Sequence, residues 1–162
     1  MKKAVAIFSV ICATLFCSCE KGDVEIKRMN SGSGTWAIET IVYDTYDSTG
    51  TSVVATSTVT DPGELVFFET ATLNALFAHH LVVANVVDTA GVITAHPGDV
   101  YFDGDRVFFQ DDAAPGHYLP TWLLGTWTID ENKRKSQVWS AYGVDNNGVL
   151  VTKVTMTLKK IK

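Results

Sequence analysis

From Thr35 to the end of the chain, short runs rich in Val, Thr, Phe, Tyr and Trp alternate with turn residues at short intervals. Such runs are typical of β-strands, and Gly, Pro, Asp and Asn between them are typical of turns. The pattern predicts an all-β domain of about eight short antiparallel strands. The predicted strands are Trp36–Tyr43, Thr51–Thr60, Glu64–Glu69, Leu81–Val87, the two arms of Val100–Gln110, Trp127–Asp130, Ser136–Tyr142 and Val149–Lys159.

Strands of this number and length leave two architectures, a closed up-and-down barrel or a two-sheet β-sandwich. Both need strands with one buried and one solvated face. The last predicted strand has this alternation, because apolar residues at every second position are separated by more polar ones. The apolar positions are Leu150, Val154, Met156 and Leu158.

Turn chemistry marks the breaks between these strands. The Asp-Pro-Gly run at residues 61–63 predicts a turn, since Pro presets one dihedral angle and Gly permits the next. Asp103 and Gly104 form a dipeptide that favours the type I′ hairpin turn. Two polar runs, at residues 131–135 and 145–148, predict the last two turns.

One segment departs from the strand pattern. Between Thr72 and Ala84, four apolar residues and one histidine recur at helical spacing: Leu73, Leu76, Phe77, His80 and Leu81. This spacing predicts a short helix that ends near His80 and is followed by the strand Leu81–Val87.

The N-terminus has the pattern of an export signal. Two lysines precede an apolar run of 13 residues, Ala4 to Phe16, which is too short to span a bilayer and fits a secretory signal peptide. Its end, LFCSC at residues 15–19, resembles the lipobox of bacterial lipoproteins. The resemblance implies a signal peptide over residues 1–18, an acylated Cys19, and attachment to the outer membrane on its periplasmic or cell-surface face.

Residues 20–34 are polar and end in alternating Ser and Gly. A flexible coil of this length spans on the order of 20 Å. We therefore expect three parts: the signal peptide 1–18, the lipidated N-terminus and flexible tether 19–34, and a β-domain over 35–162.

Cleavage before Cys19 would remove the other two cysteines, Cys12 and Cys17. The mature chain would then hold no thiol and no disulfide, which excludes cysteine nucleophiles and thiolate zinc sites. Loss of the two N-terminal lysines changes the formal net charge from −5 to −7. An acidic chain of this kind is a poor partner for nucleic acid, which binds through clustered Lys and Arg.

The sequence contains no motif of a known catalytic site. Nucleophile elbows, phosphate-binding loops, dinucleotide fingerprints and His-Glu-x-x-His are all missing. His79 and His80 are adjacent and point apart, so they are poorly placed to share a metal ion. Four acids at positions 103, 105, 111 and 112 could offer oxygens to calcium, but their spacing departs from any complete calcium loop. We expect neither an enzyme nor a bound metal or cofactor.

Nearly the same six residues occur twice, GTWAIE from Gly34 and GTWTID from Gly125. The flanking sequences diverge at once, which favours one packing solution used twice over a duplication. The first copy resembles the Gly-x-Trp signature at the first strand of lipocalins and lipocalin-like calycins. The chain is similar in this respect to small lipocalin-like outer-membrane lipoproteins of Bacteroidetes. The resemblance implies an up-and-down barrel of eight strands, with Trp36 plugging its closed end.

Large apolar residues on the predicted inner faces could line a cavity for a small apolar or amphipathic ligand, or could interdigitate and fill the interior. They are Trp36, Phe67, Phe108, Trp127 and Met156.

A second candidate site is the loop Pro115–Trp122, stiffened by two prolines. Its Tyr118 and Trp122 could contact a ligand, a glycan or a protein at the barrel mouth, or fold down onto the core. The two function hypotheses are therefore ligand binding inside the barrel and partner binding through loops.

Overall fold

The computed structural model describes residues 27–31, 34–68, 80–88, 90–111 and 118–161. One helical turn, α1 (residues 27–30), precedes eight strands in these ranges. The strands are β1 (Thr35–Tyr46), β2 (Val53–Phe68), β3 (His80–Val87), β4 (Ile93–Asp103), β5 (Arg106–Gln110), β6 (Gly125–Asn132), β7 (Ser136–Val144) and β8 (Leu150–Lys160).

Each strand pairs antiparallel with the next one, and β8 pairs with β1 to close the barrel. The predicted up-and-down barrel is confirmed, and the sandwich alternative is wrong. We call the end where α1 meets the start of β1 the closed end. Because the strands alternate in direction, the β1–β2, β3–β4 and β7–β8 loops and the β5–β6 connection all lie at the opposite, open end.

The predicted turn at residues 61–63 is wrong, because β2 runs through it without reversing. The register with β1 passes from Ile38 opposite Gly63 to Thr40 opposite Thr60. Two residues of β2 therefore face one residue of β1, which is a β-bulge. Asp61 (φ 49°) and Gly63 (φ 141°) supply its positive φ angles. The same chemistry that favours a turn here bends a continuous strand instead of ending it.

The hairpin predicted over Val100–Gln110 is confirmed, although its first strand begins earlier, at Ile93. Its two-residue loop is Gly104-Asp105, flanked by the pair Asp103 and Arg106. Only Gly104 has a positive φ, of 64°. A type I′ turn needs positive φ at both central residues, so the loop follows the type II′ pattern instead.

The folded domain begins before Thr35, which corrects the predicted boundary of the tether. Met29 in α1 is fully buried in the barrel core, and its carbonyl accepts a hydrogen bond of 2.9 Å from Trp36 Nε1. Residues 27–31 are thus structural, because an apolar side chain and a backbone acceptor are both needed at the closed end. The helix predicted before His80 lies in residues outside the described ranges, and His80 itself opens β3.

Three open-end hairpin loops share one arrangement that starts at Asp47, Asp88 and Asp145. In each, the carboxylate Oδ1 accepts backbone N–H groups two and four residues later, at 2.8–3.1 Å. In each, the glycine three residues later donates its N–H to the aspartate carbonyl at 3.0 Å. The aspartates therefore replace backbone partners that a tight loop cannot supply.

These bonds favour the ionised carboxylates. Backbone N–H groups of Val149 and Asn147 lower the pKa of Asp145, and the Thr49 hydroxyl, followed by the Thr51 N–H, lowers the pKa of Asp47. A lowered folded-state pKa gives stability that is present above the ordinary aspartate pKa and is lost as pH falls through the lowered value.

We therefore predict that the melting temperature falls more steeply between about pH 5 and pH 2 in the natural chain than in the Asp47→Asn, Asp145→Asn double variant. An asparagine oxygen accepts the same bonds without titrating. Thermal melts followed by circular dichroism measure the difference, and parallel pH profiles would contradict the prediction.

Candidate functional site

On the wall formed by β7, β8 and β1, interior-facing side chains become more exposed from the closed end towards the open end. Ile41, Met156 and Trp139 lie directly opposite one another on β1, β8 and β7, and all three are buried. One step higher on the same wall, Tyr43, Val154 and Ala141 are opposite one another and only partly buried. One step higher again, Thr45 and Gly143 are exposed.

Below this step the interior is packed with aromatic rings. Trp139 lies at ring-centroid distances of 5.9–6.3 Å from Phe109, Phe102 and Phe67, and Phe67 lies 6.3 Å from Phe102. We call these four residues the aromatic cluster. The tilted and edge-on geometries are those that aromatic pairs prefer. Trp139 also donates its indole N–H to the buried side chain of Gln137, at 2.6 Å.

Trp36 lies at the closed end, where the family resemblance placed it. Lys160 of β8 covers its ring, with Nζ 5.6 Å from the ring centroid. The same ammonium group donates to the Arg28 carbonyl and to the Ser31 hydroxyl. Burial, followed by repulsion from Arg134, lowers the pKa of Lys160. These contacts join α1 to the last strand, so Trp36 is a structural residue and is closed off from solvent.

Trp127 repeats the arrangement of Trp36 in the second copy of the six-residue motif. Its indole N–H donates to the Leu123 carbonyl at 2.9 Å, as that of Trp36 does to Met29. In both cases a buried tryptophan near the start of a strand bonds the backbone just upstream. The repeat therefore reflects one packing solution used twice.

Most residues predicted to line a cavity belong to the packed core. Trp36, Phe67, Trp127 and Met156 are at most 3% exposed, so they form the floor and walls of a filled interior. Phe108 is the correction, because the residues on either side of it in β5 are buried and it is not. It lies on the outer face, since successive strand residues point to opposite sides.

The two loop aromatics differ from each other. Tyr118 is 60% exposed, while Trp122 packs partly buried against the core. Residues 115–117 of this loop lie outside the described ranges. Its described part is held in place, since the Leu119 N–H donates to Asp111 Oδ1 at 2.8 Å and the Tyr118 carbonyl lies 3.0 Å from His96 Nδ1. Trp122 therefore folds down onto the barrel, and the Tyr118 side chain stands exposed beside the open end.

The accessible part of the interior consists of residues that the sequence did not single out. We call them the open-end cup: the inward-facing, partly buried or exposed side chains just above the packed core. They are Tyr43, Val59, Val86, Ala141 and Val154. The alternation of side chains along each strand shows that these residues face inward. No sequence signal shows the level along the barrel at which the packed core ends.

Tyr43 contributes a polar atom to the largely apolar cup, where the exposed Ser57 of β2 lies directly opposite it. Burial raises the pKa of the Tyr43 hydroxyl, so the group is a neutral hydrogen-bond donor at physiological pH. Along the part of the chain that the structure describes, no protein group bonds this hydroxyl at hydrogen-bond distance. The cup can therefore offer apolar walls together with the hydroxyl groups of Tyr43 and Ser57.

Within the described ranges, no three His, Cys, Asp or Glu side chains come together in a group that could hold a metal ion. Nor is any helix in these ranges long and apolar enough to cross a membrane. Of the two adjacent histidines, His80 is buried at the start of β3, and His79 lies outside the described residues.

No protein-family model matches the sequence. No curated protein matches it either. Among solved structures, the chain is similar to a lipocalin-like protein from Bacteroides uniformis ATCC 8492, with 11% sequence identity and a TM-score of 0.40. The similarity covers 78% of this chain and 96% of that protein.

Proposed function

We propose that this chain is a lipid-anchored, lipocalin-like lipoprotein that binds a small apolar or amphipathic molecule in the open-end cup. One observation carries the proposal: apolar, inward-facing side chains stay partly exposed above the packed aromatic cluster. Exposed concave apolar surface on a folded domain commonly marks a binding site.

The cup favours a ligand that enters by one end. The packed residues Ile41, Met156 and Trp139 form its floor, so an acyl chain or a flat ring system would be enclosed at its tip and not over its whole length. The Tyr43 hydroxyl can donate to a carboxylate or hydroxyl on such a molecule. Apart from this hydroxyl the cup has no titratable group, and the proposal includes no catalytic step and no cofactor.

Val154 is the residue on which to test ligand binding. Val154→Asp would introduce a carboxylate into the apolar wall of the cup, and this change is expected to weaken binding of a fluorescent fatty acid by about tenfold or more. Thr157→Asp is the matched control, because Thr157 is on the same strand but lies between the buried residues Met156 and Leu158 and so faces outward. Fluorescence titration and thermal shift with fatty acids and sterols provide the measurement. Absence of saturable binding by the natural chain, or equal binding by both variants, would contradict the proposal.

The lipid anchor is tested separately at Cys19. The full chain expressed in a bacterium that processes lipoproteins should partition into the detergent phase, and Cys19→Ala should move it to the aqueous phase. Aqueous partitioning of the natural chain would overturn the anchor without affecting the ligand proposal.

The first described residues lie at the closed end, so an anchor at Cys19 would leave the cup facing away from the bilayer. The proposed location is the outer membrane, on its periplasmic or cell-surface side.

The filled interior also favours a second candidate, a surface module that binds a protein or glycan through its loops. Its specific support is Tyr118, which is 60% exposed on a loop held in place by backbone hydrogen bonds. This candidate predicts that Tyr118→Ala abolishes partner binding and that Val154→Asp leaves it intact. The ligand proposal predicts the reverse for fatty acid binding, so the two variants separate the candidates.

A further inference from the structure

The basic residues of the chain are concentrated at the closed end of the barrel. Residues 20–162 contain eleven Lys and Arg, and nine of these fall in three short segments, 21–28, 133–135 and 159–162. The described parts of all three lie at the closed end, because α1 precedes β1, the second segment is the β6–β7 turn, and the third ends β8. The fold therefore gathers positive charges that are far apart in the sequence.

Direct contacts hold these segments together. Arg28 donates to the side chain of Asn132, next to the β6–β7 turn, and the Lys160 ammonium group donates to the Arg28 carbonyl at 3.4 Å. The Lys160 backbone N–H donates to the Lys135 carbonyl at 3.0 Å. We give the name basic face to three residues in these contacts and two adjacent to them in sequence. They are Lys27, Arg28, Arg134, Lys135 and Lys160.

The basic face keeps positive charge, whereas the lysines beside it are neutralised. Lys133 pairs with Glu131 at 2.7 Å. Lys159 pairs with Glu39 at 3.0 Å. In the part of the chain that the structure describes, no carboxylate forms an ion pair with the lysines or with Arg134 of the basic face. This face is therefore a site of local positive charge on an acidic protein.

The cations of the basic face are close enough to repel one another. Burial, followed by the charge of Arg134, lowers the pKa of Lys160. Anionic groups placed against these side chains would relieve the repulsion. Arg134 and Lys135 are both exposed, so an extended anionic surface can reach them.

The open end has the opposite charge. The three loops that start at Asp47, Asp88 and Asp145 contain no Lys or Arg. The closed end also has two acids, Asp103 and Asp105, but their strands do not pair with β7, β8 or β1. Charge separated in this way along a barrel orients the molecule at a charged surface.

We propose that the basic face docks on anionic lipid headgroups of the membrane that holds Cys19. The proposal rests on the lipid anchor proposed above only for bringing the face to that surface. Seven residues, 20–26, separate Cys19 from Lys27, and seven residues reach at most about 25 Å. They include three acids and one lysine, so the attraction comes from the basic face and not from the tether. Lys and Arg donate charge-assisted hydrogen bonds to lipid phosphates.

The first test measures vesicle binding without the acyl chain. Residues 20–162, which include every described residue, should cosediment with vesicles of about 40% phosphatidylglycerol in phosphatidylcholine at about 50 mM salt, and about 0.5 M salt should release them. They should stay in the supernatant with phosphatidylcholine alone. Lys135→Glu should weaken binding roughly tenfold or more, because each charge near the surface changes the affinity about fivefold and two charge units are changed.

Lys153→Glu is the matched control for Lys135→Glu. It changes the net charge by the same amount, but Lys153 lies towards the open end of β8, so binding should stay within about twofold of the natural chain. Thermal melts check that both variants fold. Equal losses in the two variants, or equal binding to the two kinds of vesicle, would overturn the proposal.

The second test measures orientation on the vesicle. Residues 20–162 contain no cysteine, so a single dye can be attached at Asp130→Cys, near the closed end, or at Asn146→Cys, on the open-end β7–β8 loop. Energy transfer to an acceptor on the headgroups should be more efficient from position 130. Equal transfer from both, or capture by heparin without vesicle binding, would overturn the proposal. Loss of fatty acid binding or of detergent partitioning leaves both tests unaffected, so failure of the proposed function is distinguishable.

Discussion

Replacing Gly63 with Ala is expected to destabilise the barrel by about 2–5 kcal/mol. The φ angle of Gly63 is 141°, a conformation that is essentially restricted to glycine. A Cβ atom at this position would lie 1.9 Å from the carbonyl oxygen of Asn85 in β3. The obstacle is backbone and not a flexible side chain, so either the bulge or the β2–β3 pairing must move.

Gly104→Ala is the matched control. Gly104 also has a positive φ, of 64°, but a Cβ there would meet nothing within 4 Å. This variant carries the backbone strain without the collision, so we expect a loss of about 1 kcal/mol. Urea denaturation of both variants measures the difference. Equal losses would show that the close approach of β2 to β3 is not as tight as described.

Replacing Trp139 with Ala is expected to cost about 3–5 kcal/mol of unfolding free energy. The change removes the ring that contacts Phe67, Phe102 and Phe109 and leaves the Gln137 oxygen without its 2.6 Å donor. A domain of ordinary stability, about 5–15 kcal/mol, would lose a large part of its margin.

Trp122→Ala provides the comparison for Trp139→Ala. The same side chain is deleted, but Trp122 packs on the outside of the core and is only partly buried. We expect a loss of about 1–2 kcal/mol, since the stabilisation follows the apolar area removed from water. If both variants lose equally little in chemical denaturation, the interior is not filled as described and a deep cavity must be considered.

The barrel could be predicted because its determinants are local. The alternation in β8 predicts one strand, and the hairpin chemistry at Gly104 predicts one turn. Eight strands joined by short connections can then close into an up-and-down barrel. The closure itself, the pairing of β1 with β8, is a long-range contact. It became predictable only through the Gly-x-Trp motif at Trp36.

The errors have a common physical origin, since the same local sequence can serve two geometries. Asp-Pro-Gly at residues 61–63 permits positive φ, which serves a bulge as well as a turn. Phe108 and Phe109 are identical neighbours, and only the register with β4 and β6 decides which of them faces inward. Met29 follows a polar stretch, so the sequence assigns it to the tether. In the structure its side chain is buried in the core at the closed end of the barrel.

The candidate site was harder to predict than the fold. Inward-facing positions could be recognised from alternation, but the step from buried Ile41 to partly exposed Tyr43 depends on how far the neighbouring strands extend. The level at which the interior becomes exposed is set by the end of β3 at Val87 together with the aromatic cluster. Neither feature is a property of the residues in the cup.

The most direct test is a titration of the isotopically labelled chain, residues 20–162, with a saturated twelve-carbon fatty acid, followed by amide and indole N–H chemical shifts in NMR spectra. The chain has four tryptophans, and three of their indole N–H groups are bonded within the buried core. We expect saturable shifts at Tyr43, Val86, Ala141 and Val154, with the indole signals of Trp36, Trp127 and Trp139 unmoved. Large shifts of the buried indoles with an unchanged cup, or no shifts at all, would contradict binding at the open end above a filled core.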